Sequence, residues 1–180
     1  MNLKRDIILS GKKASIGIVL KQDLETITSY MNDRSVRTFL RDPGRLFYIE
    51  EEEEWYQKVR KGEDLRAFAI LEGEEFSGLV SLHDLDFRNG DAYIAYSVMR
   101  EKWGRGLATE AVSLTVKYTF DYLNLRKLHS SVMEPNAASL KVLRNNGFTE
   151  TGRFQKNGFI PGHGYVDEIY FELLNGRFHY

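Results

Sequence analysis

The stretch Val98-Met99-Arg100-Glu101-Lys102-Trp103-Gly104-Arg105-Gly106-Leu107-Ala108-Thr109-Glu110 constrains this chain more than any other. A strand-like run ends there, two glycines one residue apart follow, and a long amphipathic segment begins. Amides at the start of a helix lack intrahelical acceptors and carry the positive end of the helix dipole, so a glycine-rich entry into a helix is a seat for phosphate. Beyond the glycines, Glu110, Ser113, Lys117, Asp121 and Asn124 recur at helical spacing, and apolar residues fill most other positions. A narrow polar stripe on a broad apolar surface predicts a helix laid against a sheet.

The sheet is read from the segments around it. Ala14 to Leu20 reads as a first strand, and Leu24, Ile27, Tyr30 and Met31 follow at helical spacing. Asp42-Pro43-Gly44 marks a break, and the acidic run Glu50 to Glu54 opens a second helix that ends near Gly62. Ala67 to Leu71, Phe76 to Leu82 and Ala92 to Val98 are strand-length apolar runs. They are separated by Glu72-Gly73-Glu74 and Arg88-Asn89-Gly90, so the middle of the chain predicts an antiparallel meander. After the long helix, Lys127 to Met133 reads as a strand. Asn136 is a helix N-cap for Ala137 to Asn145, and Asn146-Gly147 is a left-handed stop. Two more strands, Phe148 to Gln155 and Val166 to Leu174, are expected around a loop from Asn157 to Gly164.

A chain of 180 residues that is 42% hydrophobic supports one domain over residues 1–180 with a continuous core. With 25 basic and 26 acidic residues the net charge is -1, so no global field favours nucleic acid. The absence of cysteine removes disulfides, thiolate nucleophiles and Cys-based zinc sites. The histidines, His83, His129, His163 and His179, lack the spacing of a metal motif, and no metal is expected. Met1 to Asp6 are too polar for a signal peptide or membrane span, so a soluble, cytoplasmic protein with no membrane partner is expected.

Among glycine motifs for phosphate, a dinucleotide fingerprint needs a glycine where Thr109 stands, and a P-loop needs Lys and Ser or Thr where Leu107-Ala108 stand. The segment Trp103 to Ala111, the Asn136-Ala137-Ala138-Ser139 helix start followed by Asn146-Gly147-Phe148, and the order of the elements together resemble the GNAT superfamily of acetyl-coenzyme A dependent N-acetyltransferases. Within it the chain is similar to the branch of ribosomal-protein alanine acetyltransferases and spermidine acetyltransferases.

The resemblance implies an α/β fold: a mixed, mainly antiparallel twisted sheet splayed into a V, with helices on both faces. It implies acetyl-CoA as cosubstrate, with the pyrophosphate on the amides of Gly104, Arg105, Gly106, Leu107, Ala108 and Thr109. Lys102 and Arg105 add charge-assisted contacts, Asn136 borders the cofactor or serves only as a cap, and the backbone of Val98 and Met99 holds the pantetheine arm. It further implies direct transfer of an acetyl group to a primary amine, most simply a protein or peptide N-terminus. A spermidine-like amine, or a module that senses acetyl-CoA without turnover, is the alternative.

Two positions depart from the family pattern. Tyr93 stands where many relatives carry a general-base Glu, and Leu143 where others carry an acid Tyr. Ser139 is then the candidate acid for the thiolate, and Glu134, Asp84, Tyr96 or a water held by them the candidate base. Tyr93 and Tyr96 are read on one face of their strand with Ile94 on the other. A monomer or homodimer is expected.

Overall fold

The computed structural model describes residues 4–178, so His179 and the first three residues, including the start of the Met1 to Asp6 segment, lie outside the described residues. Eight strands form one sheet: β1 (Ile7–Ser10), β2 (Ser15–Ile18), β3 (Arg66–Glu72), β4 (Glu75–Asp86), β5 (Asp91–Val98), β6 (Lys127–Met133), β7 (Thr149–Ile160) and β8 (Gly164–Leu174). They lie in the order β1-β2-β3-β4-β5-β6-β8-β7. The helices are α1 (Leu24–Met31), α2 (Arg34–Arg37), α3 (Ile49–Lys61), α4 (Leu107–Asp121) and α5 (Ala137–Asn145).

Strands β3 to β5 form the expected antiparallel meander, and β2 and β1 extend it by further antiparallel pairs. The β5–β6 pair is parallel and short, joining Asp91–Tyr93 only to Lys127–His129. Beyond Tyr93 the two strands part. A parallel pair requires a long crossover, which α4 supplies, and the parting beyond Tyr93 opens the sheet into a V. The outer half is closed by β8, which pairs with β6 from Lys127 to Met133.

Each face of the sheet has its own core. On one face Ile16, Phe68, Val80, Leu82, Ile94, Leu128 and Phe171 pack against Leu107, Ala111 and Val112 of α4 and Leu143 of α5. Ile94 and Leu143 are completely buried, and each such side chain contributes about 1.5–3 kcal/mol relative to exposure. The threonines buried in α4, Thr115 and Thr119, turn their hydroxyls back to the carbonyls of Ala111 and Thr115, which removes the cost of burying them. On the other face Val19, Leu24, Ile27, Tyr30 and Ala67 form a second core under α1 and α3.

Three expectations are corrected. The first strand is a hairpin: Ile7–Ser10 precedes Ser15–Ile18, which is shorter than the expected Ala14 to Leu20, because a four-residue edge strand leaves little periodicity to read. The last loop shrinks to residues 161–163, since β7 runs on through Asn157 and Gly158 to Ile160 past an irregularity between Phe154 and Gly158. Finally, Tyr93 and Tyr96 occupy opposite faces. Tyr96 packs with Ile94 and Val98 toward α4 and α5, whereas Tyr93 reaches Ser131 on the other side. Residues an odd number apart cannot share a face of a regular strand.

Candidate active site

The glycine loop follows from the local chain. Gly104 and Gly106 have φ of 76 and 83, the left-handed region that favours glycine, and a β-carbon at Gly104 would meet nothing within 4 Å. The amide of Glu110 makes the bond to the Gly106 carbonyl that opens α4. The amides before it, Leu107 to Thr109, therefore have no intrahelical acceptor. Leu107 is buried and Ala108 packs against the core, so these residues offer only backbone to the cleft. The open amides and side-chain-free glycines fit a diphosphate.

The charged groups of this loop are arranged differently from expectation. Lys102 is 7% exposed, and its ammonium bonds Glu72 at 3.0 Å and Glu75 at 2.5 Å. Arg105 bonds the same Glu72 at 2.9 Å and the Glu101 carbonyl at 3.1 Å. Hydrogen bonding from Lys102 and the charge of Arg105 hold Glu72 below the usual carboxylate range. Lys102 thus braces the loop from beneath instead of reaching over it. The ammonium that stands at Gly106 belongs to Lys13, 3.2 Å from where a β-carbon would lie.

The backbone of β5 also differs in part. The Met99 amide donates to the Ser77 carbonyl on the β4 side, and the Ile94 carbonyl accepts from Ser130 on the β6 side. Alternation then aims the peptide groups of Tyr96 and Val98 into the split. The Val98 carbonyl is occupied by the Trp103 indole N–H at 2.7 Å, which leaves its amide, and Met99 does not face the split.

Across the split from β5 stands the start of α5. The Asn136 side chain caps this helix by accepting from the Ser139 amide at 3.1 Å. Ser139 Oγ meets the Tyr96 hydroxyl at 2.7 Å, and the same hydroxyl donates to the Ser139 carbonyl at 3.2 Å. Burial pushes the Tyr96 phenol well above the usual tyrosine range, with the Ser139 bond opposing it only in part. Tyr96 therefore keeps its proton at neutral pH, so it offers a hydrogen bond and is not a base. The structure brings together two residues that were candidates for opposite roles.

The other base candidates are not brought to this point. Glu134 forms an ion pair with Arg153 at 2.6 Å, and Asp84 is exposed at an irregularity of β4 with a φ of 51. Leu143 is in the core.

On the opposite face lies a carboxylate that the sequence reading passed over. Glu168 of β8 accepts from Ser131 Oγ at 2.6 Å and from the Asn157 amide side chain at 2.5 Å, and Tyr170 approaches at 3.4 Å. Ser131 in turn meets the Tyr93 hydroxyl at 3.1 Å. Ser131 is two residues beyond the last β5–β6 pair, so this network sits where the strands part. The adjacent acids Asp167-Glu168 were the available signal, since successive strand residues face opposite ways. Asp167 is the one neutralised, by Arg153 at 3.2 Å. His83 and His129 lie on this face, and burial holds both below the ordinary histidine value.

Open amides at the start of a crossover helix stand beside a split sheet with a hydroxyl pair in the split, an arrangement that suits transfer of an activated group from a phosphorylated carrier. The family model of the acetyltransferase (GNAT) domain matches residues 19–149, and the chain belongs to that family. It is 31% identical to the uncharacterized N-acetyltransferase p20 of Bacillus licheniformis over 109 residues, which span 61% of either chain. It is 30% identical to the spermidine N(1)-acetyltransferase of Escherichia coli (strain K12) over 143 residues, covering 79% of this chain and 76% of that one. The fold matches the spermidine N-acetyltransferase of Vibrio cholerae solved with CoA and spermine: TM-score 0.82, 23% identity, 91% of this chain and 96% of the other. It also matches the ribosomal-protein-S5-alanine acetyltransferase of Vibrio fischeri: TM-score 0.79, 22% identity, 96% and 98%. Among the described residues no helix is long and apolar enough to cross a membrane, and no cluster of potential metal ligands occurs.

Proposed function

We propose that this chain transfers the acetyl group of acetyl-CoA directly to the α-amine of a protein or peptide N-terminus, as one N-acetyltransferase domain over residues 1–180. Acetyl-CoA supplies the activated acyl group as a thioester. The amides of residues 104–109 bind its pyrophosphate, and the Val98 and Tyr96 peptide groups line the path of the pantetheine arm.

The observation that carries the chemistry is the Tyr96–Ser139 contact of 2.7 Å in the split. As the C–N bond forms and the C–S bond breaks, the departing sulfur takes a proton from Ser139 Oγ, which the Tyr96 hydroxyl holds in place through their hydrogen bond, and solvent restores the proton to Ser139. Glu168, on the far side of the split, takes the proton that the attacking amine loses. Its contacts to Ser131 and Asn157 orient it without neutralising it, unlike the ion pair at Glu134.

The acceptor is inferred from charge. Glu168 is a single carboxylate held by neutral donors. One such carboxylate suits one ammonium, whereas a polyamine carries further cations that call for further carboxylates. In the acidic run of α3, Glu51 pairs with Arg45, Glu53 pairs with Lys21 and Glu52 is buried, so the run is largely engaged within the fold. A spermidine-type acceptor is the competing reading, favoured by the Escherichia coli relative. Monomers or homodimers are the proposed state.

The deciding experiment measures thiol release from acetyl-CoA with a panel of peptides with free N-termini, spermidine and simple diamines. Turnover greatest with peptides supports the reading. Turnover confined to spermidine replaces the acceptor. Cofactor binding without thiol release above background would leave only a sensing module.

A further inference from the structure

The turn between β1 and β2 is fastened to the start of α4 by one side chain. Glu110, in the first turn of α4, accepts hydrogen bonds from the amides of Lys12 at 2.7 Å, Ala14 at 2.7 Å and Lys13 between them. Burial works against this carboxylate, but the three amides and the Lys13 charge outweigh it and hold its pKa below the usual range. Gly11 belongs to the same fastening, because a β-carbon there would stand 2.5 Å from Glu110 Cδ.

The fastening sets Lys13 across the glycine loop. A β-carbon built on Gly106 would lie 3.2 Å from Lys13 Nζ and 3.4 Å from its Cδ, so the lysine stem crosses the left-handed glycine. Among the described residues, no carboxylate forms a salt bridge with this ammonium. Glu110, which feels its charge, is engaged by the turn amides. An ammonium at the N-terminal end of a helix is repelled by the dipole's positive end. An anion seated between the two turns that repulsion into attraction from both sides. Lys102 and Arg105 already face Glu72 and Glu75, so Lys13 is the loop's cation with no carboxylate of its own.

We propose that Lys13 is a ligand of the acetyl-CoA pyrophosphate and that Glu110 is the residue that positions it. The cofactor site is thereby closed by a segment more than ninety residues away in sequence. The assignment is to the pyrophosphate because the ammonium lies at Gly106, within the loop whose amides precede α4, and it rests on the acetyl-CoA reading above.

Calorimetric titration of the full chain tests it, with CoA and with dephospho-CoA, which lacks the 3′-phosphate. Lys13→Ala is expected to weaken both ligands about tenfold, the worth of one charge-assisted contact. Lys13→Arg restores most of the affinity, Lys12→Ala stays within about twofold, and the Lys13→Ala deficit narrows at high salt. Glu110→Gln weakens binding less than Lys13→Ala and adds little on top of it, because both act through one contact. Three results overturn the proposal: Lys13→Ala binding both ligands as wild type does, a deficit that disappears with dephospho-CoA, or a deficit that neither Arg nor salt alters. A fully additive Glu110→Gln effect overturns the positioning role. A wild-type chain that fails to bind CoA overturns the acetyl-CoA reading as well, whereas one that binds it alongside an unaffected Lys13→Ala overturns only this inference.

Discussion

On the α4–α5 side of the split, the polar groups are backbone amides of one short loop, with Tyr96 and Ser139 beside them. On the far side they are side chains from four strands, Tyr93 of β5, Ser131 of β6, Asn157 of β7 and Glu168 with Tyr170 of β8. The first set binds through geometry that any residue with the right φ provides. The second depends on particular side chains meeting across the sheet. On the proposed function the difference separates two tasks: a cofactor common to a family is held by main chain, whereas the acceptor is selected by side chains.

This division is broken most directly at Glu168. Glu168→Gln is expected to lower kcat about a thousandfold while CoA affinity stays at the wild-type value, as loss of a general base does. Equal loss of cofactor affinity would place Glu168 on the wrong side of the division. Gly106→Trp makes the opposite case. The left-handed φ strains any side chain there, and an indole would cover the loop amides and displace Lys13, so CoA affinity should fall roughly a hundredfold or more, the loss of about two charge-assisted contacts. Unchanged affinity would show that the seat lies elsewhere.

Ser139→Ala should reduce kcat about thirtyfold, and Tyr96→Phe somewhat less because Ser139 remains. Solvent exchange of the thiol-release rate in single-turnover kinetics, with CoA affinity measured in parallel, checks both. If either variant matches wild type, the hydroxyl pair is only a packing contact.

The smallest effect is on stability. His83 and His129 have folded pKa values lowered by burial, so the unfolded chain binds more protons below the ordinary histidine value of about 6.5. Stability from these neutral histidines is fully present above that value and falls as pH drops through it toward the lowered values. Between pH 7 and 5 the midpoint of thermal unfolding should fall by roughly 2–4 °C, read by circular dichroism. A His129→Gln variant should show a shallower decline, and an unchanged slope would mean that His129 binds its proton equally well in the folded and unfolded chain.

What was legible follows the same division. The loop, the Asn136 cap, the meander and the crossover helix rest on local rules: glycine at positive φ, a side chain that caps the helix following it, and periodicity within one segment. The face assignment of Tyr93 was also available from period two and was misread. Lys102 was misplaced because a lysine beside a phosphate loop looks like a ligand until Glu72 and Glu75 of the β3–β4 hairpin are brought beneath it. Glu168 and Lys13 carried no motif at all.

The amino-acid sequence by itself determined the hairpins of the meander, the glycine loop at the start of α4 and the helix start at Asn136, because each depends on residues within a few positions of one another. Only the tertiary structure decided which charges are free. Glu72 occupies Lys102, Arg153 occupies Glu134, Glu110 carries the β1–β2 turn to the loop, and Ser131 and Asn157 hold Glu168 without neutralising it. A charge acts on its surroundings according to what folding places within a few ångströms of it, and those neighbours come from distant parts of the chain.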